Sequence, residues 1–193
     1  FYVMIDHHQE PDDFADITYV DPTICSTSQM IYQFMDSMGD LKLLDDKMAT
    51  CMYTGILTDT GSFRFPATDS TTHRIVADLL DNGANNSEIY RKIYDVNTYD
   101  RMQLLSKALH NLRVLKKYHT AYITLSQNEL NRHNFQRGDT EGFVNYALSL
   151  RNVVFAAIFI EDKKQQIIKI SFRSSGSFSV NEFARKHFSG GGH

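Results

Sequence analysis

Three short stretches hold residue types on which chemistry could be built. Asp6-His7-His8 follows directly on an apolar run, Phe1-Tyr2-Val3-Met4-Ile5. If that run is a strand of an α/β sheet, the loop leaving it lies where ligands gather, because loops at that end converge on one crevice. A neutral imidazole is a good ligand for manganese, iron, cobalt or zinc, and a carboxylate beside it can take the free ring N–H and orient the ring. By composition alone, a polar loop with two solvent-facing histidines is the simpler reading. Gly55-Ile56-Leu57-Thr58-Asp59-Thr60-Gly61-Ser62-Phe63 sets one carboxylate among small polar residues between two apolar stretches. Asp59 there could equally be a turn residue or the cap of a short helix. Near the end of the chain, Phe172-Arg173-Ser174-Ser175 is followed by Gly190-Gly191-Gly192-His193. An arginine leaving a strand, facing a glycine-rich loop with a histidine, has the makings of a phosphate grip. Glycines let backbone N–H groups approach oxygen, and arginine binds it bidentately. A flexible glycine linker is the plain alternative.

The elements that must position these residues can be traced from periodicity and caps. Residues 1–5 read as a buried strand. Ser26-Thr27-Ser28-Gln29 fits a capping box; Ile31, Phe34, Met35 and Met38 form one stripe, and Gly39 is placed to end the helix. A second helix is expected over 46–56, before the polar run 58–62. A third starts near Ser70, with Ile75, Val76, Leu79 and Leu80 as its core face and Gly83 at its end, and a shorter one follows Ser87. Met102, Leu105, Leu109, Leu112 and Leu115 line a longer helix over about 98–115. Residues 120–125 alternate as a strand does, and Ser126-Gln127-Asn128-Glu129 is a second capping box. Residues 153–160 and 167–172 read as a hairpin across the turn 161–166, and Ser179-Val180-Asn181-Glu182 caps a last helix. The pattern is an α/β half, a linking helix and a smaller α+β half containing an antiparallel pair.

Composition sets the outer limits. A chain of 193 residues with 42% hydrophobic content can bury one good core or two modest ones. It contains no apolar run near the ~20 residues that cross a bilayer, and no signal-peptide pattern. Cys25 and Cys51 lack metal-site spacing, and both are expected to be buried, reduced thiols of a cytoplasmic protein. The net charge of −3 divides unevenly. Residues 1–97 carry 6 Lys and Arg against 16 Asp and Glu, whereas residues 98–193 carry 14 against 7. An acidic half suits hard cations and a basic half suits a polyanion. The chain opens on Phe1 inside an apolar run and closes on the glycine loop, so both ends are expected to cut through structured elements.

Taken in order, these motifs resemble the DHH phosphoesterase family. Asp6-His7-His8 is similar to its signature, and Gly55 to Phe63 to its later aspartate motif. Arg173-Ser174 and Gly190-Gly191-Gly192-His193 are similar to the associated C-terminal DHHA1 module. The stretch from Glu141-Gly142-Phe143-Val144-Asn145-Tyr146 to the glycine loop is most similar to bacterial nano-RNases, which also remove a phosphate from 3′-phosphoadenosine-5′-phosphate. The resemblance implies part of a DHH-type α/β domain over residues 1–97, a linking helix over 98–117 and a DHHA1-like α+β domain over 118–193. It implies a two-metal site, usually Mn²⁺ with Mg²⁺ or Co²⁺ as alternatives, the ions being about 3.5–4 Å apart. His7 and Asp59 would be direct ligands, His8 would face the substrate phosphate, and Asp6 would support the site. Arg173, Ser174, Gly190, Gly191, Gly192 and His193 would hold the nucleotide.

The family's first aspartate-rich motif and the lone aspartate of its second lie upstream of the DHH strand, and this sequence has no such region. Two ligands cannot hold two metals, so the chain as given is expected to be inactive and the remaining ligands to lie before Phe1. The implied partner is short RNA or a nucleotide, without a membrane in this segment, and a homodimer is left open. A cyclic dinucleotide phosphodiesterase or a RecJ-like single-strand exonuclease would keep the chemistry and change the substrate. A catalytically silent nucleic-acid-binding protein would use the basic half alone, but it would have no need of Asp6, His7, His8 and Asp59.

Overall fold

The structure is a computed structural model that describes residues 1–193 except Glu10, Ser189, Gly192 and His193. It divides after Val96 into two units, Phe1–Val96 and Asn97–His193.

The first unit begins with two short parallel strands, β1 (Val3–Asp6) and β2 (Ile17–Val20), paired in register from Val3↔Ile17 to Asp6↔Val20. β1 is not the buried strand its composition suggests: Val3 is exposed and only Met4 to Asp6 are partly covered. Four helices follow, α1 (Thr27–Ser37), α2 (Asp46–Asp59), α3 (Ser70–Asp81) and α4 (Asn86–Tyr94). Each starts at a side-chain cap that accepts an otherwise orphan backbone N–H: Ser26, Asp45, Asp69 and Asn85. Their shared core includes Tyr32, Met52, Ile56, Leu57, Ile75 and Leu79.

Three details differ from the periodicity. Met30 is fully buried, whereas Phe34, Met38 and Leu80 are exposed, so the core stripes are narrower than the apolar pattern. Gln29 does not close a capping box. Its side-chain oxygen instead accepts the hydroxyl of buried Thr72 at 2.8 Å and the thiol of buried Cys25 at 3.0 Å, tying α1 to α3. Cys25 is buried as expected, but Cys51 is exposed on α2; both are free thiols.

The second unit is a four-stranded sheet in the order β3-β4-β5-β6, formed by β3 (Arg113–Leu115), β4 (Thr120–Leu125), β5 (Phe155–Asp162) and β6 (Ile167–Ser174). The outer pairs are antiparallel and the central β4–β5 pair is parallel. A parallel pair needs a crossover, supplied here by α6 (Gln127–Arg132) and α7 (Phe143–Leu148). α5 (Tyr99–Asn111) precedes the sheet and α8 (Val180–Phe188) follows it. Leu104, Leu105 and Ala108 of α5 pack with Phe143 and Val144 of α7 against Ala121, Ile123 and Ile158 of the sheet. The expected helix over 98–115 stops at Asn111: Leu112 is extended, and Arg113–Leu115 pairs with β4 instead. Its buried face is accordingly Leu104, Leu105 and Ala108, with Met102 and Leu109 exposed. The Ser126–Glu129 capping box closes as read, and β5 with β6 forms the expected hairpin.

Candidate functional site

His7 stands one residue past the end of β1, and Asp59 is the last residue of α2. The expected break before Thr58 does not occur, because the hydroxyls of this polar run bond back to the helix. Thr58 Oγ1 donates to the carbonyls of Thr54 and Gly55 at 3.1 and 3.0 Å, and buried Thr60 Oγ1 donates to that of Ile56 at 2.6 Å. Beyond Thr60 the chain turns through three consecutive left-handed residues, Gly61 (φ 55°), Ser62 (φ 63°) and Phe63 (φ 65°). The N–H of Phe63 is held by Thr60 Oγ1 at 3.0 Å and that of Ser62 by the Leu57 carbonyl at 2.9 Å. At Gly61 a Cβ would fall 2.6 Å from the ring of Phe65, so both space and dihedral call for glycine there.

This geometry brings two of the sequence-derived site residues together. His7 Nε2 lies 3.6 Å from Asp59 Oδ2, with the His7 side chain 13% exposed and that of Asp59 41%. On the other side of the ring, Nδ1 approaches the Ile24 carbonyl at 3.3 Å. A carbonyl only accepts, so that contact puts a proton on Nδ1 and leaves Nε2 on the side of the carboxylate. With Nε2 as an acceptor, the two groups would face each other at a separation too long for a hydrogen bond, a place for a cation. Ligands lie roughly 2.0–2.2 Å from a bound metal, so a 3.6 Å gap fits two adjacent positions on one ion. An imidazole held by a carbonyl on its second nitrogen is also the usual arrangement of a metal-binding histidine.

Asp6 and His8 form a second pair beside the first. Asp6 Oδ1 accepts His8 Nδ1–H at 2.5 Å and the His8 backbone N–H at 3.1 Å. The His8 side-chain bond, countered in part by burial, holds the Asp6 carboxyl below the usual carboxylate range. The His7 and His8 rings lie 4.7 Å apart. Asp6 therefore orients His8. Among the described residues, no group of three or more His, Cys, Asp or Glu side chains is placed to hold a metal ion. His7 and Asp59 fit as two ligands of one ion, and the two-ion site that the resemblance implies is not assembled by these residues.

In the second unit, Arg173 near the end of β6 borders a depression of about 480 Å³, together with Ile170, Phe172, Asn181, Gly190 and Gly191. The expected meeting of arginine and glycine loop is thus present up to Gly191, while Gly192 and His193 lie outside the described residues. The exposed Arg173 guanidinium donates to the Phe172 carbonyl at 2.8 Å, and the Ser174 hydroxyl to that of Phe178 at 2.6 Å. Sequence reasoning missed the Ile24 carbonyl, which carries no side-chain signal. It also missed β2, whose four residues are too few to show a pattern. Among the described residues, no helix is long and apolar enough to cross a membrane.

Two stretches of the chain match domains of known type. Residues 1–56 match the DHH family, N-terminal domain, and residues 115–193 match the DHHA1 domain. The chain thus combines a DHH N-terminal domain with a DHHA1 domain. Among its relatives is a probable bifunctional oligoribonuclease and PAP phosphatase, NrnA, of Streptococcus mutans. It is 33% identical over 193 residues, which make up 100% of this chain and 60% of the relative. The bifunctional oligoribonuclease and PAP phosphatase NrnA of Thermus thermophilus is 32% identical over 197 residues, 100% of this chain and 56% of the relative. The fold also matches the crystal structure of an exopolyphosphatase-related protein from Bacteroides fragilis. The TM-score is 0.94 at 40% identity, covering 99% of this chain and 56% of that one. The chain thus spans a little over half the length of these relatives.

Proposed function

We propose that the protein is a cytoplasmic, Mn²⁺-dependent phosphoesterase that hydrolyses very short RNA and removes a phosphate from 3′-phosphoadenosine-5′-phosphate. The carrying observation is the 3.6 Å approach of His7 Nε2 to Asp59 Oδ2, with Nδ1 of the same ring turned to the Ile24 carbonyl. One nitrogen and one carboxylate form a mixed donor set, which suits Mn²⁺ better than the all-oxygen sites usual for Mg²⁺. A cation held there would supply Lewis acidity at the phosphoryl oxygen and lower the pKa of a bound water. The remaining roles belong to this chain's own residues. Asp6 holds the Nδ1–H of His8 and so fixes the ring that would meet the substrate phosphate. Arg173, with the backbone N–H of Gly191 beside it, grips the nucleotide; Ser174, Gly190, Gly192 and His193 would complete that grip. The division of labour gives metal chemistry to residues 1–97 and substrate binding to residues 118–193. The oligoribonuclease and phosphatase named among the relatives support this reading.

The test is Asp59→Asn in the protein expressed from its whole gene, assayed with Mn²⁺ on a ladder of RNA lengths. Turnover should fall by more than about 100-fold with the melting temperature unchanged. In the parent, hydrolysis should be fastest on about two to five nucleotides, with phosphate released from 3′-phosphoadenosine-5′-phosphate. Parent-rate turnover by Asp59→Asn would remove the site. Preference for cyclic di-adenylate, or processive digestion of long single-stranded DNA, would reassign the substrate.

A further inference from the structure

The sheet of the second unit is covered unevenly. In paired strands, residues in register share a face, so Ala121, Ile123, Ala156 and Ile158 lie on the face buried by α5 and α7. On the other face, Phe155 and Phe172 are covered by Phe178, Phe183 and Phe188, around α8. That cover ends part-way along the strands. The uncovered part is a depression of about 1040 Å³, larger than the one beside Arg173. Tyr122 of β4 and Phe159 of β5 line it, the two central strands each contributing one ring, with centroids 6.3 Å apart and planes at 85°. Arg113, the register partner of Tyr122, flanks them on one side. Thr124, Lys163 and Gln166 add exposed hydrogen-bonding groups.

We propose that this depression is a second nucleotide-binding surface, on which a base of single-stranded RNA stacks against the Tyr122–Phe159 pair while Arg113 and Lys163 hold adjacent phosphates. Aromatic side chains on the central strands of an open four-stranded sheet suit an unpaired base, because every base offers a π-face. Three carboxylates also line the depression, and each already has a partner. Glu161 accepts the Gln127 N–H at 2.8 Å, and Asp162 pairs with Lys169 at 2.9 Å. Glu129 is held by Lys107 at 3.2 Å and by Ser126. The Lys163 ammonium makes no ion pair among the described residues, and the excess of basic residues over 98–193 favours a polyanion. Ile168 borders both this depression and the one beside Arg173, so the two adjoin along β6. That RNA is the ligand rests on the proposed function; the stacking surface rests on the sheet alone.

The experiment uses the protein expressed from its whole gene, in EDTA so that RNA is not cut. The probe is a hexanucleotide RNA carrying 5-iodouridine at each position in turn. Irradiation should give adducts on Tyr122 or Phe159 from some positions. The double variant Tyr122→Leu/Phe159→Leu should lose them and bind the hexanucleotide about 5- to 150-fold more weakly, the range for one lost stacked base. Its hydrolysis of a dinucleotide with Mn²⁺ should match the parent. Arg113→Gln, an exposed change that leaves the core alone, should reduce the slope of log affinity against log salt by about one. Adducts confined to the Arg173 side, or unchanged affinity in both variants, would overturn the proposal while leaving the hydrolytic reading intact. Adducts on the rings in a protein that cuts no RNA would do the reverse. A double variant that changes sedimentation but not RNA affinity would make the surface a protein interface and also overturn it.

Discussion

Replacing Gly55 by alanine places a Cβ 2.0 Å from Ser28 Oγ and 2.9 Å from Ser28 Cβ, across the contact between α2 and α1. Rotating the serine relieves the first clash. The second involves an atom fixed to the backbone, so the helices must part by roughly half an ångström before the contact is ordinary. Forcing an extra carbon into a close-packed seam costs about 1–3 kcal/mol, and alanine's better helix propensity returns about 1. The expected net loss is about 1 kcal/mol, read as a lower urea midpoint at unchanged m-value. Ser28→Gly removes both clashing atoms, so Gly55→Ala on that background should instead stabilise by roughly 0.5–1 kcal/mol. The change of sign is what identifies the cause. Because Asp59 lies one turn beyond Gly55, the same shift should also weaken Mn²⁺ binding in the single variant and not in the double. If Gly55→Ala were equally stabilising on both backgrounds, close approach of α1 and α2 would not be the reason for glycine.

Three further outcomes follow from the geometry. Burial pushes the Glu129 carboxyl up, but bonds from Ser126, Asn111 and Lys107 outweigh it and bring the pKa to about 2. A depressed carboxylate stabilises the fold above its unfolded value, and that stability is lost as pH falls toward 2. Glu129→Gln should therefore flatten the decline in stability between about pH 4.5 and 2, where up to about 3 kcal/mol is at stake. Thr60→Val leaves the N–H of left-handed Phe63 without its hydroxyl partner and should cost about 1–3 kcal/mol, whereas Thr60→Ser should restore most of it; thermal melts compare them. Arg173→Ala should weaken binding of 3′-phosphoadenosine-5′-phosphate about tenfold by calorimetry with metal content unchanged, and loss of metal instead would reverse the assigned roles.

What could be read in advance follows from how local the physics is. The caps at Ser26 and Ser126, the hairpin of β5 and β6 and the strand before Asp6 all rest on near neighbours in sequence, and all are present. Asp59 was legible as a candidate site residue but not as the end of a helix, because hydroxyls that usually interrupt helices here bond back to them. Gln29 obeyed a distant partner, Thr72, over the local capping rule. β3 reads as more helix because Leu112 and Leu115 continue the apolar spacing of α5; only the edge offered by β4 draws that segment into a strand. The Ile24 carbonyl that orients His7 is backbone, and its position depends on the path of the chain after β2.

The parallel seam between β4 and β5 bears on how the second unit is made. Its antiparallel pairs, β3 with β4 and β5 with β6, join segments close in sequence, and each can zip up early. The seam cannot, because Thr120 meets Phe155 only after α6 and α7 have bridged the interval. Closing that loop costs entropy before its contacts give anything back. The folding barrier is therefore set by the docking of two preformed ribbons around α7. Substitutions at Ile123, Ala156 or Phe143 should slow folding, whereas those in the turn between β5 and β6 should chiefly alter unfolding.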